Sequence, residues 1–501
     1  MTNDLETIRR IRAWHEGRPV ARGAVLNRHV AADPDVLVVS FVRMGGESRP
    51  WGVAIGTLAD GPEFVTVPEA RNRDLVADLM LKVAPALLRH FRHPQWDADG
   101  PGVFESATHR QIWLPGSSHL EMLHYLAAAY ARTTWDRPDV TTLRALGNLC
   151  SCLFLEAQRP GQQTVVTATD ALRSSFVFPS SPVRQAHVGH LLGWLAGGRT
   201  REARLEAAHT AERISVSTVL DPEHERTELR PLVEAWGSAR SAGDETAMSV
   251  HRGRIDDLLV SALRHRWTLT AESIARLRAD DRRPNPRLDE LVTDSARAFF
   301  AAWGSNVLSE AAGETAWWPN VFTDHDARRA GAAYHQRNAQ AEKERFTLVH
   351  GDRELQREEL AAGRGVIGAV ESANTDEWIV NYSYPDLTTL ETGKRLAIAG
   401  LPELELEILD VDLDERQLSL RPLWKLRKKV SSDHRAADDP AWLDRTLVLL
   451  PSQPKHLAFK KVSHAGRDIE YDITSLLRAP RLRHAAFDDD GVVVSSTEVA
   501  P

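Results

Sequence analysis

The chain has 501 residues, of which 42% are hydrophobic and 26% are charged, and its formal net charge is −8. This length predicts two to four domains, each large enough to bury its own core, and the composition is that of an ordinary globular protein. The negative net charge excludes a protein that coats nucleic acid with its entire surface, so any contact with nucleic acid must be local.

The first residues of the chain are not expected to act as a secretion signal. The sequence MTNDLETIRRIRAW is charged and lacks the apolar core of a signal peptide. No apolar run elsewhere approaches the roughly 20 residues that span a bilayer. We therefore expect a cytoplasmic protein without a membrane partner. We also expect the two cysteines, Cys150 and Cys152, to be buried and reduced, because they lie in the apolar run LGNLCSCLFL.

Residues 1–133 are predicted to form an α/β domain. Three strands at 35–44, 51–58 and 63–68 are followed by an amphipathic helix over 71–93, in which apolar residues recur every four positions. The apolar run QIWLP and the helix SHLEMLHYLAAAYAR complete the domain. The chain order β-β-β-α-β-α is the order that a ribonuclease H-like domain has, and the segment resembles that family.

Residues 134–345 are predicted to form a helical domain. Successive amphipathic segments begin after Asp or Pro, as helices with capped N termini do. No repeat of fixed length recurs through these segments, which argues against a solenoid.

Residues 346–430 are predicted to fold as a small β-barrel of the OB or SH3 kind. Five short β-branched or alternating runs lie between Arg364 and Trp424, and each is interrupted by Asn, Asp, Pro or Gly. Strands this short, with turns this regular, are typical of small closed barrels. Residues 431–501 are expected to form a basic C-terminal extension. The predicted fold class is therefore α+β with several domains.

Basic residues are concentrated around the predicted barrel. Eight of the nine lysines follow residue 342, and the stretch RPLWKLRKK contains no acidic residue. Cations that hold phosphates and rings that stack on bases are the parts of a single-strand binding groove. The residues predicted to contact nucleic acid are Trp378, Tyr382, Lys394, Arg395, Arg421, Lys425, Arg427, Lys428, Lys429, Lys460 and Lys461. The alternative is a solvated basic face with the aromatic rings inside the barrel.

No complete catalytic motif is found in the chain. A two-metal nuclease needs several carboxylates around ions about 4 Å apart, and the first predicted strand, LVVSFVR, offers none. Glu47, Asp60 and Glu121 are the carboxylates from which a cryptic nuclease site could be built. The phosphate loop GxxxxGK[ST], the GxSxG elbow and the HExxH motif do not occur. No cofactor and no metal site is predicted.

The barrel sequence, GVIGAV…EWIVNYSYPDLTTLETGKRLAIAG…LELEILDVD, resembles the accessory β-barrel of superfamily I helicases. Together with the ribonuclease H-like segment, it is similar to the front of RecB-like nuclease–helicase fusions. This chain has no motor sequence, and its first strand lacks the nuclease acid. The resemblance therefore implies an accessory chain that works with a separately encoded helicase or translocase on DNA or RNA, as in phage-defence systems.

Three functional hypotheses follow from these patterns. The first is a non-catalytic accessory subunit of a nucleic-acid-processing complex, whose barrel and basic extension touch nucleic acid or the motor. The second is a metal-dependent nuclease with a cryptic site. The third is a protein-interaction scaffold that makes no contact with nucleic acid.

Overall fold

A computed structural model describes residues 4–22, 29–93, 109–280, 282, 284–311, 327–424, 437–452, 484–487 and 493–497. Two compact units are present. The first contains a mixed five-stranded sheet with its helices and a closed six-stranded barrel, and the second contains a two-stranded sheet. None of the described helices is long and apolar enough to cross a membrane.

The mixed sheet is built by the first half of the chain. Its elements and their neighbours, in chain order, are α1 (Asp4–Glu16), β1 (Val20–Ala21), β2 (Val36–Val42), β3 (Gly52–Gly56), β4 (Glu63–Thr66), α2 (Arg73–His90), β5 (Gln111–Leu114), α3 (Ser117–Tyr130), α4 (Val140–Ala157) and β6 (Val165–Thr167). The spatial order is β4-β3-β2-β5-β6. The first three strands pair antiparallel, whereas β5 runs parallel to β2 and to β6. The described elements from β2 to α3 follow the predicted order β-β-β-α-β-α, and α1 and β1, which were not predicted, precede them.

Helices dominate the next part of the chain, as predicted. The elements are α5 (Ala168–Ser175), β7 (Phe176–Val177), a 3-10 turn (Arg184–Ala186), α6 (Val188–Ala196), α7 (Arg201–Glu212), α8 (Pro222–His224), a π turn (Glu225–Leu229), α9 (Arg230–Ala242), α10 (Glu245–Arg278), α11 (Leu288–Ala311), α12 (Ala327–Gly351) and α13 (Arg353–Ala361). Two short strands were not predicted here. Strand β6 extends the mixed sheet, and β7 pairs with β1.

One hydrophobic core joins the sheet to these helices. Strand β2, with the sequence VLVVSFV, is buried along its whole length because its neighbours and the helices cover it. Helix α10 packs on β2, β3 and β4. Its Leu263 comes so close to β3 that a Cβ at Gly52 would lie 2.9 Å from the leucine Cδ1. The core extends from Ala31 to Trp303, so residue 133, the predicted boundary, lies within it.

The C-terminal part of the first unit is a closed antiparallel barrel, which confirms the predicted small β-barrel. Its strands are β8 (Val366–Ala373), β9 (Trp378–Tyr384), β10 (Arg395–Ile398), β11 (Leu401–Asp412), β12 (Gln417–Pro422) and β13 (Thr446–Pro451). They close in the order β10-β11-β12-β9-β8-β13. The sequence indicated only the first five strands. Strand β13 lies after residue 430, the predicted end of the barrel. Alternate residues of each strand point into the core, as in other small barrels.

The second unit contains strands β14 (His484–Phe487) and β15 (Val493–Thr497), which pair antiparallel. Most of the predicted basic extension lies outside the described residues. Of its described parts, residues 437–452 supply β13 to the barrel of the first unit, and the other two form β14 and β15.

Candidate nucleic-acid interface

The aromatic residues predicted to stack on bases lie inside the barrel. Trp378 is 0% exposed, its indole N–H donates to the Ala437 carbonyl at 2.9 Å, and its ring centroid is 5.2 Å from that of Trp442. Tyr382, four residues along β9, is also buried. Strand alternation gives both rings the same inward direction. They belong to the barrel core, which corrects the expectation that they stack on bases, whereas Tyr384 at the strand end is 44% exposed.

The basic residues predicted on the barrel surface are held by carboxylates. Arg395 pairs with Glu405 at 3.1 Å, across the two neighbouring strands β10 and β11. Arg421 pairs in the same way with Glu407 at 2.6 Å. Lys394, in a turn, lies 3.9 Å from Glu391. A cation that already faces a carboxylate offers less attraction to a phosphate, because the two charges largely cancel at a distance.

The described surface of the barrel is acidic overall. Residues 364–424 and 437–452 contain fifteen acidic and six basic side chains. The same pairing extends to Arg364 with Glu359 and to Arg416 with Asp386, and the guanidinium of Arg445 lies over the ring of Trp442. All six basic side chains are therefore engaged within the first unit. A surface of this charge repels nucleic acid and attracts basic partners.

The remaining residues predicted to bind nucleic acid lie outside the described residues. They are Lys425, Arg427, Lys428, Lys429, Lys460 and Lys461. They belong to two basic stretches, 425–429 and 455–467, which flank the strand β13 in the sequence. Their contact with phosphates stays a prediction.

The three carboxylates of the alternative nuclease site have separate structural surroundings. Glu47 accepts hydrogen bonds from the Trp51 indole at 2.9 Å and from Arg71 at 2.8 Å. Asp60 accepts the Thr57 hydroxyl at 2.8 Å within a turn, and Glu121 is exposed on α3. Among the described residues, no group of three or more His, Cys, Asp or Glu side chains is arranged to hold a metal ion. The structure therefore does not assemble the cryptic site.

The centre of the first strand of the sheet contains buried polar groups that bind each other. The Phe41 N–H donates to Nδ1 of His119 at 3.1 Å, and Nε2 of that imidazole donates to the Val216 carbonyl at 3.0 Å. Burial lowers the pKa of His119 to about 3, so the ring is neutral. Ser40, beside Phe41, is fully buried. These groups face the protein interior, where a substrate does not reach them.

The two cysteines behave as the sequence predicts. Cys150 and Cys152 are free thiols buried on α4. Burial raises the pKa of Cys150 to about 12, so the thiol stays protonated and unreactive at neutral pH.

One end of the barrel combines exposed apolar side chains with carboxylates. Arg416, at the tip of the β11–β12 hairpin, pairs with Asp386 at 3.1 Å in the loop after β9. This ion pair brings together two loops whose leucines, Leu387 and Leu413, are 80% and 56% exposed. We call this surface the acidic end, and it consists of Tyr384, Leu387, Asp410, Leu413, Asp414 and Glu415.

The acidic end was not among the predicted sites, although the sequence contained a signal for it. The alternation in LELEILDVDLDE places Leu404, Leu406 and Ile408 inside the barrel and the carboxylates outside. Reading the acidic residues of the strands together with the basic residues would have indicated the sign of the surface charge.

Comparison with known proteins gives no relative for this chain. No protein-family model matches it, no curated protein matches it significantly, and no solved structure matches it significantly.

Proposed function

We propose that the chain is a non-catalytic accessory subunit of a nucleic-acid-processing complex. In this proposal the barrel docks on a helicase or translocase through the acidic end, and the basic stretches beside β13 contact DNA or RNA. The observation that carries the proposal is the charge of the barrel, whose described surface has fifteen acidic and six basic side chains, all six of the latter engaged. Such a surface favours binding of a basic protein over binding of a phosphate backbone. A motor that binds nucleic acid is basic, so it is a suitable partner.

The N-terminal sheet supports a role without catalysis. Its chain order of elements supports the ribonuclease H-like interpretation. In active members of that family a carboxylate stands in the middle of the first strand, where this chain has Ser40. With Glu47, Asp60 and Glu121 held in separate places, the domain is best understood as one retained for its shape and its surfaces.

The acidic end has the composition of a protein interface. Exposed Tyr384, Leu387 and Leu413 supply apolar area, and the carboxylates around them steer a basic partner and fix its orientation. A stable interface of this kind buries about 1,600 Å² in total, which is more than three side chains provide. The partner should therefore extend from the acidic end along the outer faces of β11 and β12.

Recovery of a motor protein with the tagged full-length chain tests the proposal. Pull-down from the native host, followed by mass spectrometry, should recover a helicase or translocase. Replacing Asp410, Asp414 and Glu415 by Lys should reduce that recovery at least tenfold, because three attractive charges become repulsive. Leu387→Ser should also weaken it.

A matched control makes the same charge change elsewhere. Glu202, Glu234 and Glu272 are exposed carboxylates on α7, α9 and α10, and their replacement by Lys should leave recovery unchanged. If the wild-type chain recovers no motor while the bait is intact, the proposed partner is wrong. If the two triple variants reduce recovery equally, the contact is not at the acidic end.

The scaffold without nucleic-acid contact is the second candidate, because the carboxylate pairs of Lys394, Arg395 and Arg421 favour it. A binding assay with single-stranded DNA and RNA at increasing salt separates it from the first, since only the first predicts salt-dependent binding.

A cleavage assay with Mg²⁺ or Mn²⁺ tests the hypothesis of a cryptic nuclease. We expect intact substrates, and cleavage that disappears in Glu121→Ala would restore the nuclease hypothesis.

A further inference from the structure

A cavity of about 930 Å³ lies between the hairpin of helices α8 to α10 and the segment 213–221 that precedes it. Helices α9 and α10 are joined by two residues only and pack against each other. On α10 the lining side chains recur at intervals of three or four residues, from His251 through Arg254 and Leu258 to His265, so they share one face of the helix. The fourteen helical rises from His251 to His265 make this lining face of α10 about 21 Å long.

The segment 213–221 is a fixed wall of this cavity. Three side chains from separate parts of the chain each donate to one of its carbonyls: His187 to Ile214 at 3.0 Å, His119 to Val216 at 3.0 Å and Arg266 to Ser217 at 2.7 Å. The segment also hydrogen-bonds the end of the sheet, since the Arg43 N–H donates to the Thr218 carbonyl at 2.7 Å. The wall is therefore held in place before any ligand arrives, which lowers the entropy cost of binding.

The opposite wall contains the π turn Glu225–Leu229. Single π turns within helices are uncommon and occur frequently at functional sites. Thr227 and Glu228 of this turn, and His224 just before it, line the cavity. The remaining contacts from this side are apolar, chiefly Leu232.

The polar groups of the cavity include some without a protein partner. Nδ1 of His251 and Nε2 of His265 are buried, and neither has a hydrogen-bond partner in the part of the chain that the structure describes. Arg254, one helical turn from His251, forms no ion pair with the described carboxylates. Of the three acidic residues in the lining, Asp221 is occupied by the N–H groups of the following turn, at 2.9 and 3.2 Å. Both imidazole nitrogens are covered by protein, so the polar group of the α10 face that is open to a ligand is the exposed guanidinium of Arg254.

We infer that this cavity binds a small amphipathic organic anion. Its carboxylate or phosphate head contacts Arg254 and His251, which are adjacent on α10, and its apolar body lies along Leu232, Leu258 and Leu220. A guanidinium and an imidazole N–H are suitable donors for either head group. A volume of this size, lined by both polar and apolar side chains, is in the range of small-molecule sites. The inference is independent of the proposed docking on a motor.

Titration calorimetry of the full-length protein with decanoate and with decyl phosphate tests this inference. We expect saturable binding of one molecule per chain by at least one of them. Shortening the chain from decanoate to octanoate should weaken binding about fourfold per methylene removed. Decanol, which has the tail without the charge, should bind at least tenfold more weakly. The tighter of the two anions identifies the carboxylate or the phosphate as the natural head group.

Two matched variants locate the head group. Arg254→Glu should weaken binding at least tenfold, because it places a negative charge beside the anion. Arg226→Glu makes the same change at an exposed position that does not line the cavity, and it should leave affinity within twofold. Thermal unfolding should be the same for both, since both side chains are exposed. The absence of saturable binding by either anion, or an equal weakening in both variants, would overturn the inference.

Discussion

Single buried histidines connect backbone segments that are distant in the sequence. His90 donates to the Gln111 carbonyl at 3.0 Å, and His109 donates to the Gln163 carbonyl at 2.9 Å. Together with His119, they bind strands or loops that are far apart in the sequence. Burial lowers the pKa of His90 and of His109 to about 4. All three imidazoles are therefore neutral at physiological pH, and the network depends on that neutral state.

Acidification should destabilise the protein between pH 6.5 and about 4. The unfolded chain binds a proton at each histidine near pH 6.5, whereas the folded chain keeps these three neutral down to about pH 4. The unfolded state therefore binds more protons as the pH falls, and the free energy of unfolding decreases. Each histidine should lower it by roughly 2 kcal/mol between pH 7 and pH 5. Urea denaturation at pH 7, 6 and 5 measures this decrease.

The variant His109→Gln provides the control for this pH dependence. It removes one titrating group, so the decrease between pH 7 and pH 5 should shrink by the amount assigned to one proton. A wild-type stability that does not change over this range would contradict the assignment.

Among the secondary-structure elements of the barrel, strand β9 connects the others through its inward side chains. Trp378, Val380 and Tyr382 point inward in alternation, and Trp378 packs against Trp442 from the segment before β13. The Trp378 indole N–H also fixes the backbone at Ala437. The ring therefore joins the first five strands to the sixth, and its role is structural.

Trp378→Ala should unfold the barrel before the rest of the protein. Removing a fully buried indole leaves a cavity and an unsatisfied carbonyl, which costs about 3–5 kcal/mol. Chemical denaturation followed by tryptophan fluorescence and circular dichroism measures this cost. Lys394→Ala, on the exposed surface of the same barrel, should change stability by less than about 0.5 kcal/mol. Equal effects of the two substitutions would show that Trp378 is not part of the core.

The basic stretch after β12 should supply any phosphate contacts of this region, because every described basic side chain of the barrel is already engaged. Replacing Lys425, Lys428 and Lys429 by Glu should weaken binding to single-stranded nucleic acid at low salt. The slope of log affinity against log salt should fall by about one for each lysine–phosphate pair that is removed. Replacing Arg395, Arg421 and Lys394 by Glu serves as the matched control and should have a smaller effect. If the triple lysine variant binds as well as wild type, nucleic acid binds elsewhere or not at all.

In the first unit as a whole, a single hydrophobic core joins the mixed sheet to the helices. Strand β6, which completes the sheet, lies after residue 133. Helix α10, which covers β2 and β3, begins more than a hundred residues after that boundary. The α1 helix is also tied to the helix before the barrel, since Arg9 pairs with Glu358 at 2.8 Å. These interactions make the sheet and its helices one cooperative body, whereas the barrel has a hydrophobic core of its own.

The fragment 1–133 should therefore fail to fold by itself. Without β6 and α10 it exposes the apolar face of β2 and one edge of the sheet, and the missing burial exceeds the stability of a small domain. The fragment 1–311 contains the whole sheet and its covering helices and should fold. Dispersion of amide signals in nuclear magnetic resonance spectra distinguishes the two. A well-dispersed spectrum of 1–133 would show that the predicted boundary is a true domain boundary.

The amino-acid sequence was sufficient to predict the identity and order of most elements. Apolar periodicity located β2, β3, β4, α2 and β5, and the turn residues between short strands indicated the barrel, because both signals are local. The closing strand β13 was missed because a stretch without strand character separates it from the others. The buried thiols were also predictable, since both lie within one long apolar run.

Tertiary structure was needed to establish which residues face solvent and which charges meet. Alternation makes Trp378 and Tyr382 share a face, but the register against β8 and β12 decides that this face is the inside of the barrel. The carboxylates that neutralise Arg395 and Arg421 come from a neighbouring strand, 10 and 14 residues away. The cavity beside α10 likewise needs side chains from three separate parts of the chain to fix its wall. Local sequence patterns do not contain these distances, because strand pairing and helix packing bring together residues that are remote along the chain.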